Sequence, residues 1–327
     1  MPARIGAPGI GGLGGGYPLA GEWSVSFGWR YQKSDRHYVG DVYQGQRDQL
    51  GNQVINHVNV ADVTVKYQAT RRVELAVGVP YSMDTRSQTL NTTPTLTRYQ
   101  TRASGLGDIL VGARRWMFDP DTHTKGNVQL GAGVQIPTGS ANVQDTFLTL
   151  TSGVIGTQIR NVDQSIQPGE GGWGFLGDLM AFRNVWKTNL YINAAYLLTP
   201  QENNGVTNGT STSGPSQYMS VYDQFYMEGG GGFSIKGPLQ GGLAIRVEGV
   251  PAHDLVGGQF GFRRPGVAVS FQPSVSIRKG SKSIFEIGVP IAIYRNRFQS
   301  AADELTGAHG DAAFANWLLM ANVTRKF

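Results

Sequence analysis

The sequence predicts an all-β chain folded as a single antiparallel transmembrane β-barrel of about twelve strands, with short periplasmic turns and long extracellular loops. Three observations lead there. Apolar and polar residues alternate with period two in segment after segment. The connections between those segments alternate just as regularly between short and long. No run approaches the roughly 18 consecutive apolar residues of a transmembrane helix. Yet only 16% of residues are charged, below the roughly 25% of soluble domains.

Residues 1–20, rich in Gly and Pro, show no alternation and read as a periplasmic leader before a barrel at 21–327. The glycines at 11–16 follow no strand and precede no helix, so they do not make a phosphate loop. Ile5, Ile10, Leu13 and Tyr17 are candidate anchors for the leader on the barrel interior, its periplasmic rim or a neighbouring chain. No charged segment followed by an apolar one marks a secretory signal. The expectation is that the numbering starts after a removed signal, or that the true start is missing.

In the first strand Trp23, Val25, Phe27, Trp29 and Tyr31 share one face, and Ser24, Ser26, Gly28, Arg30 and Gln32 the other. Val63, Val65 and Tyr67 repeat the pattern, then Val73, Leu75, Val77, Val79 and Tyr81, then Val128, Leu130, Ala132, Val134 and Ile136. Later come Leu190, Ile192, Ala194, Tyr196 and Leu198; Leu243, Ile245 and Val247; Val267, Val269, Phe271, Val275 and Ile277; and Phe285, Ile287, Val289, Ile291 and Ile293. At about 106–118, 172–186 and 221–235 both faces carry bulky residues, so the facing stays open. The last strand, 316–327, ends on Phe327 and resembles the terminal assembly signature of bacterial outer-membrane barrels.

Short turns are expected near 70–71, 120–125, 186–188, 236–240 and 279–282. Long loops are expected at about 34–57, 84–104, 138–171, 200–220, 252–264 and 296–311. An even strand count places both termini on the periplasmic side. A soluble sandwich would not sort its turns by length. Hydrocarbon offers no partner to a free N–H or C=O, so the first and last strands must pair.

Composition excludes several functions. There is no cysteine, hence no disulfide scaffold, thiolate metal site or cysteine nucleophile. A net charge of +5 without a basic run argues against nucleic acid. Clustered metal ligands are missing, although Asp35, Asp41 and Asp48 in the first loop offer calcium oxygens or, more simply, solvated charges. The five histidines fall in or beside expected loops and turns, and none is expected on a lipid-facing strand face. His253-Asp254 is the lone adjacent pair, and neighbouring side chains point apart, so neither catalysis nor a cofactor is expected.

The polar faces would point into the lumen. They carry Glu22, Arg30, Asp62, Lys66, Glu74, Asp108, Arg114, Glu228, Arg246, Glu248, Glu286 and Lys326. Folding across the tight turns brings Lys66 near Glu74 and Glu228 near Arg246. Two readings stand: internal ion pairs bracing the wall of a narrow barrel, or a selectivity constriction. The apolar, β-prone stretch 146–155 inside the third loop is read as a hairpin extension, an inward constriction or a partner contact.

Ser104-Gly105-Leu106-Gly107-Asp108, Gly112-Ala113-Arg114 and Gly131-Ala132-Gly133-Val134-Gln135-Ile136-Pro137-Thr138-Gly139 resemble an outer-membrane transporter family named for the meta-pathway of phenol degradation. The resemblance implies that Gly107-Asp108 opens a downward strand with Asp108 in the lumen, and that Pro137-Thr138-Gly139 ends the next. It also implies aromatic catabolites as cargo. The expected function is therefore a passive channel of the bacterial outer membrane for small solutes or small hydrophobic, including aromatic, molecules. The alternative is a non-conducting structural barrel that docks another envelope or surface component through its loops or leader. Expected partners are outer-membrane lipid and a small solute, with a second copy or an envelope protein as candidates at residues 1–20 or 138–171.

Overall fold

In the computed structural model residues 17–92, 95–208 and 214–327 are described. Twelve strands close into an antiparallel barrel. They are β1 (Trp23–Val39), β2 (Ile55–Gln68), β3 (Val73–Thr92), β4 in two segments (Thr95–Leu106 and Ile109–Trp116), β5 (Gly126–Ile136) and β6 (Gly174–Val185). Then follow β7 (Thr188–Leu198), β8 (Gln224–Lys236), β9 (Leu239–Val250), β10 (Gly266–Lys279), β11 in two segments (Ser283–Gly288 and Ile291–Arg297) and β12 (Ala312–Lys326). Each strand pairs with the next, and β12 returns to β1 from Ser24↔Lys326 to Tyr38↔Ala312. Closure leaves no edge, as a spanning sheet requires.

The outer face is apolar and exposed: Trp23, Phe27, Leu75, Leu130, Phe175, Ile245 and Ile287 all project from the wall. A closed barrel with such a girdle is stable only in hydrocarbon, and this one is of the bacterial outer-membrane kind.

Three expectations change. The stretch 84–104 is not an open loop, because β3 and β4 stay paired from Tyr81↔Leu106 up to Thr92↔Thr95. Its alternation is too polar to reveal a strand that stands above the membrane. Pro290 interrupts β11, since a proline cannot donate to the ladder. His57 belongs to β2, with its neighbours Asn56 and Val58 buried and its ring against Tyr31 on the outer face. The histidine is thus outward on a strand but level with Thr85, above the membrane, and capped by the Tyr31 hydroxyl at 3.0 Å.

The three strands of open facing turn bulky residues inward. Trp116, Leu176, Phe182 and Tyr226 are buried, so the lumen is itself partly apolar and facing could not be read from polarity. Between β5 and β6 the third loop carries a hairpin, Gln144–Thr151 with Val154–Asn161, exposed throughout 151–159. The apolar stretch is thus a hairpin, but one that forms its own two-stranded sheet and does not extend the β5–β6 ladder.

The glycines quoted for the family resemblance have a steric cause. A Cβ on Gly139 would lie 2.7 Å from the Gly169 Cα and 2.9 Å from the Gly107 Cα. Three backbones cross there, and only glycine fits. Gly169→Ala should cost about 1–3 kcal/mol by overpacking, read as a lower unfolding midpoint of the refolded barrel; an unchanged midpoint would mean the crossing is looser than described.

Candidate functional site, an ion-paired lumen beneath an inward loop

Inward positions of β1, β8 and β9 meet across the barrel. Arg246 of β9 donates to Glu248 at 2.8 Å and to Glu228 of β8 at 3.3 Å. Arg30 of β1 reaches over the lumen to Glu248 at 3.0 Å, although β1 and β9 are not neighbours. Tyr191 of β7 donates to Glu228 at 2.9 Å, and the Tyr226 ring lies 4.9 Å from the Arg246 guanidinium. Arg246, Glu228 and Glu248 are buried. Two cations and two anions alternate in this unit, so no net charge is left in a dry place.

A second unit is wetter. Lys66 lies 3.4 Å from Glu74, Arg114 lies 3.4 Å from Glu74, and Arg114 donates to Asp178 at 2.8 Å. Asp178 sits on β6, one strand beyond β5. Its carboxylate passes over Gly131, where any side chain would clash. Glu286 of β11 accepts from Asn322 at 3.2 Å. Asp62 faces the bare Cα of Gly28 and accepts from Thr64 at 3.5 Å.

Asp108 lies in the break between the two segments of β4, immediately before Ile109–Trp116. Its carboxylate accepts from the backbone of Gly139 at 2.9 Å and of Glu170 at 2.8 Å. It clamps the two ends of the third loop where the glycines cross.

Above the lattice the third loop turns inward, and every residue from Val162 to Glu170 is buried. Asp163 caps the short helix Gln164–Ile166. Its carboxylate takes a bidentate pair from Arg264, 2.8 Å on each oxygen, and lies 3.4 Å from Arg86 of β3. At its far end Glu170 is fixed to Asp108 on β4 and lies 3.5 Å from Gln224 on β8. The segment therefore spans the lumen from wall to wall.

Burial alone would raise the Asp163 carboxyl, but Arg264 and Arg86 outweigh it and hold it well below the ordinary carboxylate range. A depressed acid contributes stability that is present above its unfolded value and lost as pH falls through the folded one. Exchange protection of 162–167 should be constant from pH 8 to about pH 4 and decline only below. Loss of protection at pH 5–6 would show that another group holds the loop.

At the periplasmic end Tyr17 packs edge-on against Trp116 at 5.0 Å and beside Phe182 at 5.9 Å, and its hydroxyl donates to the His123 carbonyl at 2.7 Å. The Pro18 carbonyl accepts from Arg71 at 2.7 Å. The other leader anchors, Ile5, Ile10 and Leu13, lie outside the described residues. Asp48 of the first loop pairs with Arg36 at 2.8 Å, and Asp35, which lies in β1 rather than in the loop, pairs with Lys33 at 2.8 Å. Among the described residues no three acids or histidines gather as metal ligands.

Ser165, His37 and Asp311 line one cavity but do not form a nucleophilic trio. The Ser165 hydroxyl donates to Asp163 at 2.6 Å, while His37 Nε2 lies 2.9 Å from the Val54 nitrogen. His253 lies 3.6 Å from Glu304, and its neighbour Asp254 is buried against Arg263 at 2.6 Å.

No protein-family model and no curated protein matches the chain in sequence. Among solved structures an outer-membrane channel from Pseudomonas putida F1 aligns at TM-score 0.61 and 11% identity, over 98% of this chain and 100% of that one. At that identity the likeness is one of fold. A toluene transporter from Ralstonia pickettii (TM-score 0.46, 8% identity, 96% of this chain and 91% of that one) is too distant to bear on this chain. The same holds for the translocator domain of an autotransporter from Neisseria meningitidis (0.46, 11%, 95% and 90%).

Proposed function

We propose that the chain is a passive outer-membrane channel for small solutes, closed at rest by the inward third loop and the ion-paired lattice. The observation that carries this reading is the segment Val162–Glu170, a stretch of backbone laid across the lumen, tied by the Asp163 charge pairs and seated by Val162 and Ile166 against Ala103 and Val143. A purely structural barrel would gain more from apolar filling, because buried ion pairs are weak stabilisers. Paired charges can exchange partners with a passing solute; a packed apolar plug cannot. The proposal extends to small aromatic molecules because the lower lumen has an aromatic lining, with Tyr226 against the Arg246 guanidinium and Trp116, Phe182 and Tyr191 clustered together.

Purified protein in planar bilayers tests the proposal. Discrete single-channel steps are expected, rare in the unaltered chain and more frequent when the third loop is released. Silence of both, with the barrel intact by its heat-dependent gel shift, would leave the reading of a structural barrel that docks an envelope component. Deleting residues 1–20 tests the leader in the same assay. More frequent openings are expected if Tyr17 and its neighbours obstruct the periplasmic mouth. Loss of a co-purifying partner or oligomer would instead make the leader a tether, and the absence of both outcomes would defeat both readings.

A further inference from the structure

The geometry points to a binding site for a small oxyanion, of carboxylate or bicarbonate size, at the extracellular end of the lumen between Arg86, Arg264 and His37. A cavity of about 40 Å³ lies there, lined also by Asn56, Ser165 and Asp311. That is room for two or three waters or for one planar oxyanion head.

The local charges do not balance. Arg86 and Arg264 share the one carboxylate of Asp163. On the opposite wall Asp311 is already engaged, with Arg47 at 2.6 Å and with His37 Nδ1 at 2.9 Å. His37 Nε2 lies 2.9 Å from the Val54 nitrogen and 3.1 Å from its carbonyl oxygen, and Nδ1 faces Asp311. Among the lining groups Arg86 and Arg264 are two cations against the one carboxylate of Asp311, which Arg47 also engages from outside the lining. The nearby Arg297 changes nothing, because Asp303 matches it at 2.8 Å.

Arg86 is almost wholly buried, with a side chain 7% exposed. A buried guanidinium with only half a counter-ion is costly, and an anion in the cavity completes it. The surroundings are built for an oxygen acceptor. Arg86 is aimed by Gln88 at 3.2 Å and Asn56 at 3.3 Å, and the Arg264 guanidinium lies over the Phe262 ring, 4.6 Å from its centroid. Planar guanidiniums recognise planar oxyanions through paired, charge-assisted hydrogen bonds. A spherical halide uses that geometry poorly.

Binding requires no conduction, so its failure and that of the channel are separate results. Sodium acetate is titrated into the detergent-solubilised full chain against sodium chloride at equal ionic strength, with sodium benzoate as a second arm, by calorimetry and by thermal midpoint. A saturable response to acetate and none to chloride is expected. Benzoate binding as well would assign the site to the carboxylate of a larger solute; acetate alone would assign it to a free small anion. Arg86→Gln should weaken acetate binding by at least about tenfold, the equivalent of ~1.4 kcal/mol. Asp311→Asn removes a negative charge and should tighten it, which keeps the test open if Arg86→Gln fails to fold. No saturable acetate response, a chloride response of equal size, or weaker binding in Asp311→Asn would overturn the site.

Discussion

Replacing Arg246 with methionine should destabilise the folded barrel by about 3–5 kcal/mol, because it leaves one buried carboxylate of the unit without a counter-charge. Glu228 would keep only the Tyr191 hydroxyl, and Glu248 only Arg30. The side chains of Arg246, Glu228 and Glu248 are 2–5% exposed, so water cannot replace the lost guanidinium. The double variant Arg246→Met with Glu228→Gln should recover most of the loss, since Arg30 and Glu248 then remain as a matched pair. Lys66→Met provides the contrast. Lys66 is 31% exposed beside Glu74, and its removal should cost under about 1 kcal/mol. Denaturant midpoints of the barrel refolded in lipid vesicles measure all three. Equal, small losses for Arg246 and Lys66 would mean that the centre of the lumen is wet.

Asp163→Asn should have the second large effect. The substitution leaves Arg86 and Arg264 buried without their shared counter-ion, at a cost of about 3–5 kcal/mol. That cost is local, because the segment Val162–Glu170 can leave the lumen without unpairing any wall strand. The expected outcome is a barrel of near-normal gel shift whose 162–170 amides lose exchange protection and whose bilayer openings become more frequent. Asp48→Asn, which breaks a pair at a site about one-third exposed, should change neither. Full protection of 162–170 in Asp163→Asn would show that Asp108 and the glycine crossing suffice to hold the loop.

The lattice is partly legible in the sequence. Lys66 with Glu74 and Glu228 with Arg246 follow from folding strands across tight turns of known length, and both pairs are present. Arg30 with Glu248 is not legible, because β1 and β9 meet only across the lumen and sequence separation holds no trace of that distance. Tyr191 shows itself as the aromatic opposite an apolar face on β7. Asp178 lies on a strand whose two faces look alike. Asp163, Arg86 and Arg264 fall in stretches read as loops, where no periodicity assigns a direction to a side chain.

The sequence by itself determined the wall. Period-two alternation, loop lengths and the absence of a long apolar run require many strands with one oily face, and hydrocarbon then demands closure. These are local properties, set by neighbours along the chain or across a turn. Only the tertiary structure decided what fills the barrel: the inward third loop, the clamp at Asp108, and the arginines that share Asp163. Those contacts join residues far apart in sequence through charge and steric fit, and such terms depend on distances that exist only once the sheet has closed.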